Sequence, residues 1–172
     1  VTVEDNPICS GTPLAGTASS SSDYLCGTGP VDLTLAGSTS TGGITIQWQS
    51  SPAGANTFTN IGGATGSAYT ATVTAPSDYR AVVTCSNSSL TDTSNVVTVN
   101  YSPGPPANDE SCDATALTIG GASSCGNTTC ATTALDEPES GCSSSNNTVW
   151  YKFTATVSGS YNILLERPAT GT

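Results

Sequence analysis

Apolar residues recur at every second position through much of the first hundred residues. Val31, Leu33 and Leu35 share one face, and Ile44, Ile46 and Trp48 share the next. Tyr69, Ala71 and Val73 repeat the pattern, followed by Tyr79, Ala81 and Val83, then Val97, Val99 and Tyr101. Period two describes strands buried on one side. Between the runs lie Gly42-Gly43, Pro52-Ala53-Gly54, Gly62-Gly63, Ala75-Pro76-Ser77 and Asn87-Ser88-Ser89, each a turn signal. Seven or so short strands punctuated in this way predict an all-β sandwich. No segment sustains a 3.6-residue period, so essentially no helix is expected.

Trp48 and Tyr79 sharpen this to an immunoglobulin-like β-sandwich, with the Trp on the third strand and the Tyr opening a late strand at a tyrosine corner. Antibody-type domains place one cysteine two residues after that Tyr and its partner on the second strand. Here those places hold Ala81 and Leu33 or Leu35, so the inter-sheet disulfide is either replaced by apolar packing or moved. Cys85 closes the strand that begins at Tyr79, whereas Cys26 opens the strand leading to Leu35. Those strands run the same way, which puts the two cysteines near opposite ends, beyond the roughly 7 Å between Cα atoms that a disulfide spans. Cys9 precedes an antiparallel first strand and starts near Cys85. Cys9–Cys85 is the favoured pair, and Cys26 is the odd cysteine, free or bonded outside this domain.

The clearest boundary is Ser102-Pro103-Gly104-Pro105-Pro106, where proline removes ladder donors and stiffens the chain. It divides the chain into residues 1–103 and 104–172. The second part holds Cys112, Cys125, Cys130 and Cys142, which allow three connectivities. Sequential pairing, Cys112–Cys125 and Cys130–Cys142, makes short loops and is the pairing expected. Strands are expected at 149–153 and 161–165, with Val149, Tyr151 and Phe153 facing a core. Two strands cannot bury that face alone. The expectation is an incomplete second β-sandwich, continued beyond Thr172 or completed by another segment. The opening Val1-Thr2-Val3 also reads as strand, so the chain is expected to be a mature or excised segment.

Composition narrows the function. Only 9% of the 172 residues are charged, against about a quarter in ordinary domains. The surface must therefore be solvated largely by Ser and Thr hydroxyls. Thirteen acids against three bases give a net charge of −10, which argues against nucleic acid and against anionic membrane as partners. No apolar run approaches the roughly 20 residues that span a bilayer. Seven cysteines with no histidine and no C-x-x-C spacing argue for disulfides rather than zinc, and so for an extracellular protein.

The runs Ile44-Thr45-Ile46-Gln47-Trp48-Gln49 and Asn60-Ile61-Gly62-Gly63-Ala64-Thr65, with Tyr79-Arg80-Ala81-Val82-Val83-Thr84-Cys85 and Thr93-Ser94-Asn95-Val96-Val97-Thr98-Val99, carry a family resemblance. They resemble the immunoglobulin-like repeats of large type IX-secreted surface proteins of gliding bacteria, and Cys9-Ser10-Gly11-Thr12-Pro13 fits them too. Ala107-Asn108-Asp109-Glu110-Ser111-Cys112 and Val149-Trp150-Tyr151-Lys152-Phe153 are similar to pre-peptidase C-terminal modules of jelly-roll-like architecture. The resemblance implies module type and cell-surface placement rather than any one activity. Some relatives carry a further cysteine at the place of Ala81, which agrees with Cys26 being unpaired or differently paired.

Catalytic chemistry finds little support. A nucleophile needs a base, and the chain has no His and a lone Lys152 inside a strand. Asp136, Glu137 and Glu139, or Asp109 and Glu110, are adjacent loop acids, which seldom face each other across a sugar. Calcium is the minority use for Asp109, Glu110 and Asp113, joined by Asn108, or for the 136–139 cluster. Trp150 alternates away from Val149 and Tyr151, and either stacks on a sugar or covers a second face. Three sequons, at Asn87, Asn127 and Asn146, arise readily by chance in so Ser/Thr-rich a chain.

The sequence thus predicts a non-catalytic structural module of an extracellular stalk, adhesin or filament. Its partners would be neighbouring modules or identical subunits, with surface polysaccharide a further candidate. If the chain were a whole subunit, a neighbour would donate a strand and the odd cysteine would form an intersubunit bond. The alternative is a carbohydrate- or surface-binding accessory module of a secreted hydrolase.

Overall fold

The computed structural model describes residues 8–133 and 147–165. The chain divides into two compact units, Val1–Pro105 and Pro106–Thr172. Among the described residues, nearly all regular structure is β, with a single three-residue 3-10 turn at Ser111–Asp113.

The first unit holds nine strands: β1 (Thr17–Ser20), β2 (Tyr24–Cys26), β3 (Gly29–Ala36), β4 (Ile44–Pro52), β5 (Thr59–Asn60), β6 (Ala68–Val73), β7 (Ser77–Cys85), β8 (Leu90–Thr93) and β9 (Val97–Ser102). One sheet runs β1-β3-β6 and the other β2-β9-β7-β4-β5, with β8 also paired to β7. All pairings are antiparallel except β2 on β9. This is an immunoglobulin-like sandwich. The strand count exceeds seven because two runs break. The first chain segment changes sheets between Ser20 and Tyr24, and the last is interrupted at Ser94–Val96.

The core is the set of alternating residues from both sheets. Val31, Leu33, Trp48, Val73, Ala81, Val83 and Val99 are fully buried, with Tyr79 and Ala71 nearly so. Trp48 lies opposite Ala81 in the β4–β7 ladder. Its indole N–H donates to the Gly66 carbonyl at 2.9 Å, which satisfies the ring's polar atom inside the sandwich. Leu33 and Ala81 thus fill with apolar packing the region that a disulfide bridges in antibody-type domains. At the β8–β9 break, buried Ser94 keeps the ladder whole. Its N–H donates to the Ala81 carbonyl and its hydroxyl accepts from the Ala81 N–H, both at 2.9 Å.

The second unit has a sparser order. β10 (Thr115–Ala116) pairs in parallel with β11 (Tyr151–Lys152). Asn108 brackets the ladder: its carbonyl accepts from the Trp150 N–H at 2.8 Å, and its side-chain amide donates to the Trp150 carbonyl at 2.9 Å. Two expectations are corrected here. Of the 149–153 run only Tyr151–Lys152 is strand, and 161–165 is irregular. Val149 and Tyr151 are half-buried, whereas Phe153 is 41% exposed and leans on Tyr161 with ring centroids 5.7 Å apart. Ile163, Leu164 and Leu165 are 69%, 79% and 92% exposed. Alternation prepares a face, but a strand also needs a neighbouring edge for its backbone groups. Among the described residues of this unit, the ladder has only two strands.

Candidate functional site

The feature of the first unit with most consequence is how its opening segment is fastened. Cys9 and Cys85 form a disulfide between Cα atoms 5.8 Å apart, across a sequence separation of 76. Both cysteines are buried, at 4% and 0% exposure. The turn that leads from β3 into β4 builds their housing. The Cys9 N–H donates to the Gly42 carbonyl at 2.8 Å, and the Ser86 N–H donates to the Gly43 carbonyl at 2.9 Å. Gly43 adopts φ +81°, and a Cβ there would stand 3.3 Å from the Cys9 sulfur. Glycine alone suits both the left-handed backbone and the close sulfur. Because the bridge closes so long a loop, it contributes about 4–5 kcal/mol on chain-entropy grounds.

From this bridge, residues 9–26 run alongside residues 85–102 in the same direction. Successive contacts keep a nearly constant separation of 76–77. The Ser88 hydroxyl donates to the Gly11 carbonyl at 2.7 Å. The Asp92 carboxylate accepts from the Ala15 N–H at 2.9 Å. Asn95 then acts as a substitute strand: its side-chain oxygen accepts from the Ala18 N–H at 2.8 Å, and its amide donates to the Ala18 carbonyl at 3.0 Å. Asn100 donates to the Asp23 carbonyl through both its backbone and its side chain. The parallel β2–β9 ladder completes the seam, with Cys26 opposite Ser102. Gly16 allows the segment to pass, because a Cβ there would fall within 3 Å of the Ala36–Ser38 backbone.

Residues 14–103 match the family model described as a domain of unknown function (DUF8696). The chain belongs to this family. The DUF8696 segment contains all nine strands of the sandwich, together with Cys85, and starts after Cys9. No curated protein and no solved structure matches the chain.

Elsewhere in the DUF8696 unit, buried polar groups hold loops in place. Asp78, 5% exposed, accepts from the Gly54 N–H at 2.7 Å and the Thr98 hydroxyl at 2.6 Å. Arg80 stacks its guanidinium 3.9 Å from the centre of the Phe58 ring and donates to Gln49 at 2.8 Å. The Tyr79 phenol titrates above its ordinary value because burial disfavours the phenolate; a hydrogen bond with Ser77 pulls it down, and Tyr69 pushes it up. An open groove of about 560 Å³ beside Tyr79 is walled by Ser50, Ser51, Thr57, Thr59, Thr72 and Ser77. It presents hydroxyls and no acid–base pair.

The cysteine expectations need correction. Cys26 is disulfide-bonded, which removes the free alternative of the two expected for it. Cys112 and Cys125, expected to pair, are free and exposed. Proximity in sequence does not aim two Cβ–Sγ vectors at each other. Cys112 sits in the 3-10 turn, and Cys125 lies in an irregular stretch. Cys130 is disulfide-bonded, and Cys142 lies outside the described residues. These bridges point to an oxidising compartment. No helix among the described residues is long and apolar enough to cross a membrane.

The calcium expectation is corrected as well. No group of three His, Cys, Asp or Glu that could hold a metal occurs among the described residues, so Asp109, Glu110 and Asp113 do not converge. Asp109 is instead a buried brace: its two carboxylate oxygens accept from the Thr132 N–H at 2.8 Å and the Thr132 hydroxyl at 2.6 Å. The cluster Asp136, Glu137 and Glu139, like Asn146, lies outside the described residues. Lys152 is exposed on β11, and Trp150 is half-buried with its backbone held by Asn108 and Thr115.

Asp92 and Asn95, which brace Ala15 and Ala18, and Thr132, which Asp109 holds, carry no signal of these roles in the sequence. A short polar residue 77 positions from its partner leaves no local pattern to detect. Only the sheet arrangement brings such pairs together.

Proposed function

We propose that this chain is a non-catalytic structural module of an extracellular cell-surface stalk, adhesin or filament. One observation carries the reading. The DUF8696 sandwich is closed covalently at its opening segment by Cys9–Cys85, and its last strand leads into the Pro-rich stretch Pro103-Gly104-Pro105-Pro106. A cross-linked β-unit followed by a stiff spacer suits a protein that sets distance between other parts. The hydroxyl-rich, weakly charged exterior and the resemblance to repeats of type IX-secreted surface proteins support the same role. The partners would be neighbouring modules or further copies of the chain.

The test is to locate the chain on the cells that make it. Antibodies to the folded DUF8696 unit should label intact, unpermeabilised cells, and gentle external protease should remove the label. Label that appears only after permeabilisation would overturn the reading. Label that stays in the medium and co-sediments with insoluble polysaccharide would favour an accessory module of a secreted hydrolase instead.

A further inference from the structure

We propose that the outer face of β7, β4 and β5 binds a single carboxylate of an otherwise neutral polysaccharide, with Arg80 as the anchor. The proposal gives the surface role above a ligand class and rests on that reading only for its purpose. Arg80 is the only Lys or Arg in residues 1–105, where it stands against six acids.

Three neighbouring strands set Arg80 in a row. Arg80 of β7 lies opposite Gln49 of β4, and Gln49 lies opposite Asn60 of β5. Trp48 and Ala81 point into the core, so Gln49 and Arg80 point outward. The direction of the hydrogen bonds along the row is forced. A guanidinium only donates, so the bond from Arg80 Nε at 2.8 Å turns the Gln49 oxygen toward β7. The Gln49 amide nitrogen therefore faces β5 and donates to Asn60 Oδ1 at 2.9 Å. That leaves the Asn60 amide nitrogen at one end of the row and the two Arg80 Nη groups at the other. Both ends are donors, and neither meets an acceptor among the described residues. They stand about 10 Å apart, two inter-strand spacings.

Arg80 is also held in place before any ligand arrives. Its guanidinium lies 3.9 Å from the centre of the Phe58 ring, and the Nε bond fixes its plane. The edge that remains is the Nη pair, which a carboxylate takes bidentately. Because the side chain is already ordered, little rotamer freedom is lost on binding. Asp78, on the same face of β7, does not compete: its oxygens accept from the Gly54 N–H and the Thr98 hydroxyl.

Charge and topology select the ligand class. A net charge of −10 repels a polyanion, and one cation neutralises one charge, so the carboxylates must be sparse. An extended peptide would seek a sheet edge for its backbone, but β4 and β7 are paired on both sides. The face offers side-chain donors beside an aromatic ring. A uronic acid followed by a neutral sugar fits it, with the carboxylate on Arg80 and a hydroxyl or ring oxygen on Asn60.

An NMR titration of the full, oxidised chain tests this. The chain has two arginines, Arg80 and Arg167, and Arg80→Lys identifies the Arg80 Nε–H signal by its loss. The probe is a disaccharide of one uronic acid and one neutral hexose. Its control is the same disaccharide with the carboxyl reduced to an alcohol. The acid should shift the Arg80 signal saturably at millimolar concentration, and the alcohol should bind about tenfold more weakly. Followed at the backbone amides of β4 and β5, Arg80→Gln should weaken binding of the acid about tenfold, and Arg80→Lys should recover part of that loss. Asn60→Ala, at an exposed position, should weaken it severalfold without moving the melting temperature.

Equal binding of the two disaccharides, unchanged binding in Arg80→Gln, or no shift of the Arg80 signal would overturn the proposal. An N-acetylated, amidated glutamate that binds as tightly as the uronide would overturn the sugar assignment and make the face a site for acidic peptide. If Arg80 only braces Phe58, Arg80→Gln should lower the melting temperature while the native chain shows no saturable shift. These results leave surface labelling of intact cells untouched. Conversely, a protein found inside cells would sink the surface role and leave the binding constants as measured.

Discussion

The two units of this chain draw on similar materials and reach different ends. Both are rich in Ser, Thr and Gly, both carry alternating apolar runs, and both contain cysteines at intervals. In the first unit the runs face one another across two sheets, and Leu33, Trp48, Ala81, Val83 and Val99 are sealed at 0% exposure. In the second, the described residues form a two-strand parallel ladder, and Ile163, Leu164 and Leu165 remain exposed. Apolar alternation is therefore necessary for a strand and not sufficient. The face must meet another face, and the backbone must meet another edge. The same lesson holds for cysteine: Cys9 and Cys85 meet across 76 positions, whereas Cys112 and Cys125, close in sequence, do not.

Breaking the covalent closure should have the largest effect. Cys9→Ala/Cys85→Ala should cost the first unit about 4–5 kcal/mol in denaturant unfolding followed through Trp48. Loss of the exposed Cys112 and Cys125 thiols together should change the stability of either unit by less than about 0.5 kcal/mol. A cost under about 1 kcal/mol for the first pair would mean that the unfolded chain is already compact there.

Next come the aromatic rings. Trp48→Ala removes a fully buried ring and a satisfied indole bond and should cost about 3–5 kcal/mol. Phe153→Ala, at a 41% exposed position, should cost below about 1 kcal/mol. Equal costs would show that the second unit owns a core of its own around Phe153.

Polar braces give a smaller contrast. Asn95→Ala strands the Ala18 N–H and carbonyl and should cost about 1–3 kcal/mol in global unfolding, with faster amide exchange at Ala18. Asp109→Ala strands Thr132 in the same way, but its effect should be confined to exchange at Thr132 and the neighbouring ladder, leaving the melt of the first unit unmoved. A shifted first-unit melt would show that the two units unfold as one.

The smallest effect is on pH dependence. The folded-state pKa of Tyr79 is raised by burial, so its stabilisation is fully present below the unfolded value of about 10 and is lost as pH rises through the higher folded value. Tyr79→Phe should flatten the fall in melting temperature on the alkaline side of pH 10 and leave its shape unchanged between pH 7 and 9. An identical alkaline fall in the variant would place the responsible group elsewhere.

Much of the sandwich was legible in the residues themselves. Period-two runs and Gly/Pro turns mark the strands because side chains alternate across a sheet and only a few residues turn tightly. Trp48 and Tyr79 mark its centre because large rings find burial only between two sheets. Strand direction favoured Cys9 as the neighbour of Cys85, since the ends of successive antiparallel strands can be followed along the chain. Tertiary structure alone decided the rest. The splitting of the first and last runs into β1–β2 and β8–β9, the bracing of Ala15 and Ala18 by Asp92 and Asn95, the engagement of Cys26 and the freedom of Cys112 and Cys125 are all long-range outcomes. They depend on which edges and Cβ vectors converge in space, and a sequence records the identity of those groups without recording their approach.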